Sequence, residues 1–179
     1  MRLRLLAGLT PRAFLRRHWQ KRPLFVRGAL PAFRGVVDEH ALAALAARDD
    51  VESRLVERSG KRWLTAHGPF RNISLKKTNS TLLVSGVNLH VEAADQLLRR
   101  FDFVPQARLD DVMVSYATPG GGVGPHVDSY DVFLLQGDGR RRWWIWDCPG
   151  STGSRWRRAF APTRRPRASC SWQIGRAHV

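Results

Sequence analysis

Two residues with metal-binding side chains, His126 and Asp128, follow a run of three glycines at 120–122. In an extended strand, residues two positions apart point to the same face, so the imidazole and the carboxylate project together. Two histidines and one carboxylate form the facial site that binds Fe(II) and leaves positions open for a cosubstrate and oxygen. The spacing therefore predicts two ligands of one metal ion. The alternative is a histidine paired with a neighbouring carboxylate, because His-x-Asp also arises by chance.

The residues around this tripeptide favour the metal interpretation. The glycines before Pro125 allow a tight turn that brings the backbone close to a ligand. They do not match a phosphate loop, because no Lys-Ser/Thr pair follows. On a later predicted strand, Arg141, Trp143 and Ile145 share one face. If that face is interior, the guanidinium of Arg141 needs an anionic partner, such as the distal carboxylate of 2-oxoglutarate. The alternative is a solvated hairpin that carries three arginines.

The first hundred residues predict helices and short connecting strands. Thr10 followed by Pro11 is typical of a helix N-terminus, and Pro23 is expected to end that helix. Asp38 is a second N-cap. The remaining predictions are a buried strand at Leu24-Phe25-Val26, an apolar stripe of Leu42, Leu45 and Ala46, a strand from Val51 to Glu57 with a turn at Arg58-Ser59-Gly60-Lys61, and a helix from Glu92 to Arg100 with Ala93, Leu97 and Leu98 inward.

From Asp111 onward the pattern changes to short strands. One strand is predicted at Val112–Tyr116, and Val132–Leu135 is apolar on both faces, as in a strand covered on both sides. The turn signal at Gly137-Asp138-Gly139 predicts that residues 140–145 return as the partner strand. Helices followed by a meander of strands favour an α+β chain whose core is an antiparallel barrel.

Composition limits the class of protein further. A chain of 179 residues can form one domain with a substantial core. Its formal net charge of +15 favours an acidic neighbourhood such as RNA or a ribonucleoprotein, although a solvated basic surface is the alternative. The segment Met1–Leu6 is too short and too charged for a signal peptide, and no membrane span is expected, so the predicted location is cytoplasmic. The two cysteines, Cys148 and Cys170, predict neither a metal site nor a disulfide framework.

The last segment, residues 147–179, loses the periodicity of the preceding strands. It contains seven arginines and one acidic residue. Gln173–Val179 resembles the translation of a sequencing-library adapter, and the Arg/Pro/Ser-rich stretch before it resembles an out-of-frame translation of GC-rich DNA. We predict a non-native tail, with a disordered basic tail as the alternative. The predicted organisation is therefore an N-terminal supporting region at 1–100, the first part of the barrel core at 101–146, and this tail.

Several blocks of the sequence closely resemble the bacterial ribosomal oxygenases. These are cupin-fold, JmjC-type enzymes that hydroxylate an arginine of a large-subunit ribosomal protein. The resemblance extends over residues 10–145. Its blocks are His18–Leu24, His67–Phe70, Asn79–Val84, Asp110–Tyr116, Pro119–Gly137 and Gly139–Trp143.

The resemblance implies a specific fold and a set of site residues. N-terminal helices should pack on a double-stranded β-helix of the cupin or jelly-roll type, incomplete at the C-terminus. His126 and Asp128 should be ligands of Fe(II), and Arg141 should anchor the carboxylate of the cosubstrate 2-oxoglutarate. Ser115 is implied as a second cosubstrate contact. No catalytic residue beyond the metal ligands is implied.

The resemblance also implies a reaction and its partners. The family reaction is oxidative decarboxylation of 2-oxoglutarate to succinate and CO2, coupled to hydroxylation of a substrate carbon. Tyr130 and Asp131 are implied in the groove for the peptide arginine, with ordinary packing as the alternative. The implied partners are a large-subunit ribosomal protein, nearby ribosomal RNA and, in full-length members, a second copy of the protein.

The chain departs from the family pattern from Trp144 onward, since relatives often carry a further basic residue at this position. The third ligand should be a histidine on a later barrel strand. His178 lies in the adapter-like segment and is rejected for that role. The later strands, the dimerisation region and the winged-helix-like domain of the family are missing, so we expect a truncated chain with little or no activity. The earlier histidines are interpreted as surface or packing residues; they are His18, His40, His67 and His90.

Two other functions stay open at this point. One is a JmjC-type oxygenase that acts on a different protein side chain, with histidine as the nearest case. The other is a non-catalytic basic module that docks on ribonucleoprotein. Turnover of 2-oxoglutarate that depends on His126 would favour an enzyme, whereas metal-independent RNA binding without turnover would favour the docking module.

Overall fold

The computed structural model describes residues 1–124, 126, 131–139 and 141, together with the backbone of strands over 142–146, 156–161 and 169–174. Its residues form two compact units: Met1–Phe33 with Arg140–Pro162, and Arg34–Gly139 with Thr163–Val179. The helices are α1 (Pro11–Arg17), α2 (Glu39–Ala46) and α3 (Glu92–Leu98). The strands are β1 (Ser53–Ser59), β2 (Arg62–His67), β3 (Ser80–Val84), β4 (Val112–Ala117), β5 (Phe133–Asp138), β6 (Arg141–Trp146), β7 (Trp156–Ala161) and β8 (Ser169–Ile174). Among the described residues, no helix is both long and apolar enough to cross a membrane.

The first unit contains α1 and an antiparallel ribbon of β6 and β7. The hydroxyl of Thr10 accepts a hydrogen bond from the backbone N–H of Ala13 at 3.2 Å, and Pro11 occupies the first turn. The predicted N-terminus of this helix is therefore confirmed. The helix ends at Arg17, ahead of the predicted end at Pro23.

The second unit contains a six-stranded sheet in the order β2-β1-β3-β4-β8-β5, with every neighbouring pair antiparallel. Helix α2 begins at the predicted cap, because the Asp38 carboxylate accepts the N–H of Ala41 at 2.8 Å. The predicted stripe of α2 is confirmed, and its three members Leu42, Leu45 and Ala46 are buried. The chain has the predicted α+β fold class.

The register of this sheet defines two faces. Residues directly opposite each other on antiparallel strands share a face, as do alternate residues of one strand. The pairs Arg58↔Trp63, Val56↔Thr81 and Thr81↔Ala117 place these side chains on one face, which we call the loop face. Ser115, two residues before Ala117, belongs to the same face.

The opposite face, here called the helix face, includes Leu82, Val84, Val112, Val114 and Tyr116. Helix α2 packs on this side, because Ala43 of α2 lines a cavity of about 230 Å³ together with Leu82 and Tyr116. Since β3 is buried at every position, it is the central strand on which both sides of the sheet depend.

Three local predictions differ from the structure. No strand forms at Leu24–Val26; Phe25 is 50% exposed and its ring lies 5.5 Å below the guanidinium carbon of Arg27. Three apolar residues are too few to establish a strand without a partner for their backbone groups. In α3 the inward alanine is Ala94 and not Ala93, because burial follows the i, i+3, i+4 spacing through Leu97 and Leu98. The first sheet strand runs from Ser53 to Ser59, two residues later than predicted.

The predicted hairpin between residues 132–135 and 140–145 is also wrong. Strand β5 pairs with β8, and β6 pairs with β7. The turn signal around Gly139, whose φ is +70°, marks a change of direction without determining the next hydrogen-bonded partner. Strands β7 and β8 lie in the segment at 147–179 that was expected to lack regular structure. Backbone pairing needs no particular side-chain pattern, and the non-native origin of this segment stays a prediction.

The central position of β3 leads to a stability prediction. We expect Leu82→Ala to lower the free energy of unfolding by about 2–5 kcal/mol, because it leaves a cavity in the packed helix face. Leu82 is 1% exposed, whereas Leu89, a matched control, is 77% exposed. Leu89→Ala should change the value by less than about 0.5 kcal/mol. Urea unfolding followed by far-UV circular dichroism measures both, and equal effects would contradict this account of the core.

A half-buried carboxylate beside β4, that of Asp111, leads to a pH prediction. Burial raises the pKa of Asp111, and the hydrogen bond that it accepts from the Gly86 N–H opposes this only in part. A raised pKa in the folded state contributes stability at low pH that is lost as the pH rises through that pKa. Unfolding free energies measured from about pH 3 to about pH 7 should therefore fall less in Asp111→Asn than in the unmodified chain. The exposed Asp102 provides the control, because Asp102→Asn should keep the original slope.

Candidate metal centre

The glycine loop, residues 119–124, leaves the end of β4 and is fastened to the start of β3. The backbone N–H of Thr118 donates to the carbonyl of Ser80 at 2.9 Å. The Thr118 hydroxyl accepts the N–H of Ser80 at 3.1 Å and donates to its carbonyl at 3.2 Å. The N–H of Asn79 donates to the carbonyl of Pro119 at 2.8 Å. These bonds fix where the loop begins relative to the sheet.

Two glycines are required where the loop crosses this junction. A Cβ on Gly121 would overlap the carbonyl oxygen of Ser80 and lie 2.9 Å from the carbonyl oxygen of Thr118. A Cβ on Gly120 would lie 2.5 Å from the side-chain oxygen of Asn79, and Gly120 has a φ of +77° that other residues rarely adopt. The structure thus shows a close approach of these glycines to β3 and its neighbouring residue Asn79, whereas their predicted approach to a ligand stays a prediction.

Farther along, the loop runs along the indole ring of Trp63. Methyl groups built on Gly122 and Gly124 would lie 3.5 Å and 3.2 Å from this ring. A methyl group at either position would therefore already touch the ring. Trp63 belongs to the loop face, so the glycine loop lies over that face of the sheet. On the same face, the guanidinium carbon of Arg58 lies 5.8 Å from the centroid of the indole.

His126 follows this loop, and its ring makes a hydrogen bond that determines its proton. Nδ1 lies 3.0 Å from the carbonyl oxygen of Gly124. A carbonyl oxygen only accepts, so Nδ1 carries the hydrogen and the neutral ring has its lone pair on Nε2. A histidine that ligates a metal has this arrangement, with its other nitrogen donating to a carbonyl or carboxylate. The exposed ring of His126 therefore fits the role of a metal ligand.

Ser115 lies in β4 on the loop face, opposite Leu83 of β3. Its side chain is 6% exposed, and its neighbour on this face, Thr81, is fully buried. A Cβ on Gly121 would also lie 2.9 Å from the Thr81 hydroxyl. Ser115 is thus on the same side of the sheet as the glycine loop, as a cosubstrate contact requires; the contact itself stays a prediction.

The structure describes the surroundings of the other predicted site residues only in part. Arg141 is the first residue of β6, opposite Ala161, and is half-buried. Asp131 is half-buried and lies two residues before the start of β5. Asp128 and Tyr130 lie outside the described residues, and so do the side chains that would show which way the faces of β6 point. Within the described part of the chain, no three His, Cys, Asp or Glu side chains cluster as a metal site.

The histidines that precede the barrel are distributed over other elements. The ring of His18 stacks on Phe14 with centroids 6.0 Å apart, and His40 lines the cavity beside α2. His67 is the last residue of β2, and His90 follows the short 3-10 turn Val87–Leu89. His40 and His67 are exposed and His18 and His90 are half-buried, and none of the four is on the glycine loop.

The sequence analysis did not identify two residues that lie against the loop or fasten it, Trp63 and Thr118. Both act through contacts with residues distant in the chain, to Gly124 and Ser80 respectively. Local periodicity carries no signal for such contacts. The block Asn79–Val84 was noted for its resemblance alone, and the structure shows that its first two residues hold the loop.

Comparison with known proteins identifies the relatives of this chain. A family model described as the JmjC domain matches residues 96–165, which include β4, the glycine loop and His126. The match also extends past Trp146 into the segment predicted to be non-native. The ribosomal protein uL16 3-hydroxylase of Escherichia coli K12 is 47% identical over 131 residues, which are 73% of this chain and 35% of that protein. The chain belongs to the JmjC-type ribosomal oxygenases.

Further relatives agree with this family. A Haemophilus influenzae protein named "Probable ribosomal oxygenase" is 41% identical over 149 residues, which are 80% of this chain and 37% of that protein. A structure of YcfD, a ribosomal oxygenase from E. coli, is 35% identical with a TM-score of 0.81 over 96% of this chain and 52% of that one. The same protein in complex with cobalt and 2-oxoglutarate matches with a TM-score of 0.80 at the same identity and coverage. The fold is therefore the JmjC cupin-type fold, and the chain spans about a third of the length of the curated relatives it matches.

The fastening of the loop to β3 leads to a prediction for Gly121. We expect Gly121→Ala to lower the free energy of unfolding by about 1–3 kcal/mol, because the atoms that crowd the new methyl group are backbone oxygens that cannot turn away. Gly60 is the control: its φ is +61°, but open space surrounds it. Gly60→Ala should cost about 1 kcal/mol from conformation alone. Chemical denaturation compares the two, and an unchanged stability in Gly121→Ala would contradict the packing described.

Proposed function

We propose that the protein containing this chain hydroxylates an arginine side chain of a large-subunit ribosomal protein, using Fe(II) and 2-oxoglutarate. The observation that carries the proposal is the hydrogen bond between Nδ1 of His126 and the Gly124 carbonyl, which directs the lone pair to Nε2. It lies in the segment matched by the JmjC model. The name of the E. coli relative supports a ribosomal protein as substrate, whereas the choice of arginine rests on the resemblance of the site motif.

The metal site would be built from His126 and Asp128. Imidazole nitrogen and carboxylate oxygen are the donors of an Fe(II) facial site, and the related YcfD structure with cobalt and 2-oxoglutarate holds a divalent metal in place of iron. When bound, iron would supply the reaction in which 2-oxoglutarate, O2 and a substrate C–H become succinate, CO2 and a C–OH. We assign the third ligand to no residue of this chain.

The remaining assignments concern the chain's own side chains. Arg141 would bind the distal carboxylate of 2-oxoglutarate through two parallel N–H bonds. Ser115, buried on the loop face, would contact the same cosubstrate. Tyr130 and Asp131 would contribute to the groove for the substrate arginine.

The charge of the chain bears on its partners. A formal net charge of +15 suits a protein that approaches ribosomal RNA while it binds a ribosomal protein. Such a substrate also implies a cytoplasmic location. A homodimer of the whole protein is proposed from the family resemblance alone. The same charge favours the second candidate function, a basic module that docks on ribonucleoprotein without catalysis.

The proposal predicts that His126 governs metal binding and turnover. Isothermal titration calorimetry should show that this chain binds Co(II) weakly, because only two ligands are assigned. His126→Ala should weaken this binding further by about 10-fold or more. His67→Ala, an exposed histidine at the end of β2, is the matched control and should leave binding unchanged. In the whole protein, His126→Ala should abolish succinate formation with a ribosomal arginine peptide.

Two outcomes would contradict the proposal. Cobalt binding that is the same in His126→Ala and the unmodified chain would remove the assigned ligand. RNA binding by the whole protein without any decarboxylation of 2-oxoglutarate would favour the docking module. Strong turnover by the 179-residue chain alone would instead show that residues 147–179 complete the site.

A further inference from the structure

We propose that Trp63 is a positioning residue for His126, with its indole ring acting as a wall against which the glycine loop is held. This inference rests on the proposed function. Its geometric basis is the position of the ring, which a methyl group at Gly122 or Gly124 would touch. Gly124 is also the residue whose carbonyl accepts the hydrogen bond from His126. One residue thus connects the indole wall to the candidate ligand.

The environment of Trp63 separates this role from ordinary core packing. Strand β2 is an edge strand, and its other five residues are all exposed. Trp63 alone is half-buried, and the loop glycines lie against its ring. A large aromatic side chain on an otherwise exposed strand is therefore placed where it meets the loop and not where it would fill the core.

Arg58 ties this wall to the base of the loop. Its guanidinium lies over the Trp63 ring, and its Nη2 donates to the side-chain oxygen of Asn79 at 3.4 Å. Its backbone N–H donates to the carbonyl of Asn79 at 2.9 Å. The side-chain oxygen of Asn79 lies close to Gly120, and the backbone N–H of Asn79 donates to the carbonyl of Pro119. The loop is consequently held at both ends, at its base by Asn79 and Ser80 and at its far end by Trp63.

The mechanical consequence follows from the composition of the loop. Glycines have the widest backbone freedom, so a loop with glycines at 120, 121, 122 and 124 samples many conformations unless its surroundings restrict it. Without the Trp63 ring, only the junction with Asn79 and Ser80 would hold the loop, and Nε2 of His126 would occupy a wider range of positions. Groups that orient a metal ligand typically contribute about 10- to 100-fold in metal affinity.

Hydrogen exchange of the chain tests the inference independently of metal binding. Trp63→Ala should speed amide exchange of peptides covering residues 119–126 by about 10-fold or more, because the packing that limits local opening is removed. Peptides from β3 and β4 should keep their protection, and the urea midpoint should change little. Trp63→Phe should restore most of the protection, since a smaller ring still faces the loop. Leu64→Ala, on the opposite face of β2 with 55% of the residue exposed, should have no effect.

Cobalt titration connects the wall to the ligand. Trp63→Ala should weaken Co(II) binding by about 10-fold or more, with Trp63→Phe closer to the unmodified chain. Unchanged exchange of residues 119–126 in a folded Trp63→Ala variant would overturn the inference. The unmodified chain could bind no cobalt while Trp63→Ala still speeds exchange of residues 119–126. That result would contradict the proposed metal site and support the role of Trp63 in holding the loop. If Trp63→Ala unfolds the chain, Trp63→Leu decides: loop protection equal to that of the unmodified chain would overturn the role of the ring.

Discussion

The junction between the glycine loop and β3 is the constraint on which the candidate centre depends. Two hydrogen bonds through the Thr118 hydroxyl, together with the backbone bonds at Ser80 and Asn79, attach the loop to β3, a strand that is buried at every position. The close approach leaves no space for a side chain at Gly121. Because β3 is packed on both faces, a loop attached to it starts from a fixed position on the sheet.

This attachment explains how a loop of flexible residues can present a ligand. The junction sets the direction in which the chain leaves β4, and Trp63 limits its path over the loop face. At the end of that path, the Gly124 carbonyl selects the protonated nitrogen of His126. The same backbone that approaches the sheet closely thus also orients the imidazole. A hydrogen bond from the nitrogen that does not bind the metal sets both the tautomer and the ring direction of a histidine ligand.

Much of the local structure could be predicted from the sequence because its causes lie within a few residues. Thr10 and Asp38 cap their helices through bonds to N–H groups three positions later. The spacing of Leu42, Leu45 and Ala46 predicted their buried stripe. Errors arose where burial or pairing had to be inferred without a partner, as at Phe25, at Ala93, and in the hairpin expected after β5.

The sequence by itself determined the helix starts, the strand β4, the glycine loop and the His-x-Asp spacing, and it placed the chain in its family. These features depend on neighbouring residues or on a contiguous motif. The tertiary structure decided that β5 pairs with β8, that Thr118 binds Ser80, and that Trp63 faces Gly124. Each of these contacts joins residues far apart in the chain, and only the register of the assembled sheet brings them within reach. The proton on Nδ1 of His126 depends on the conformation of the loop, which brings the Gly124 carbonyl next to that nitrogen.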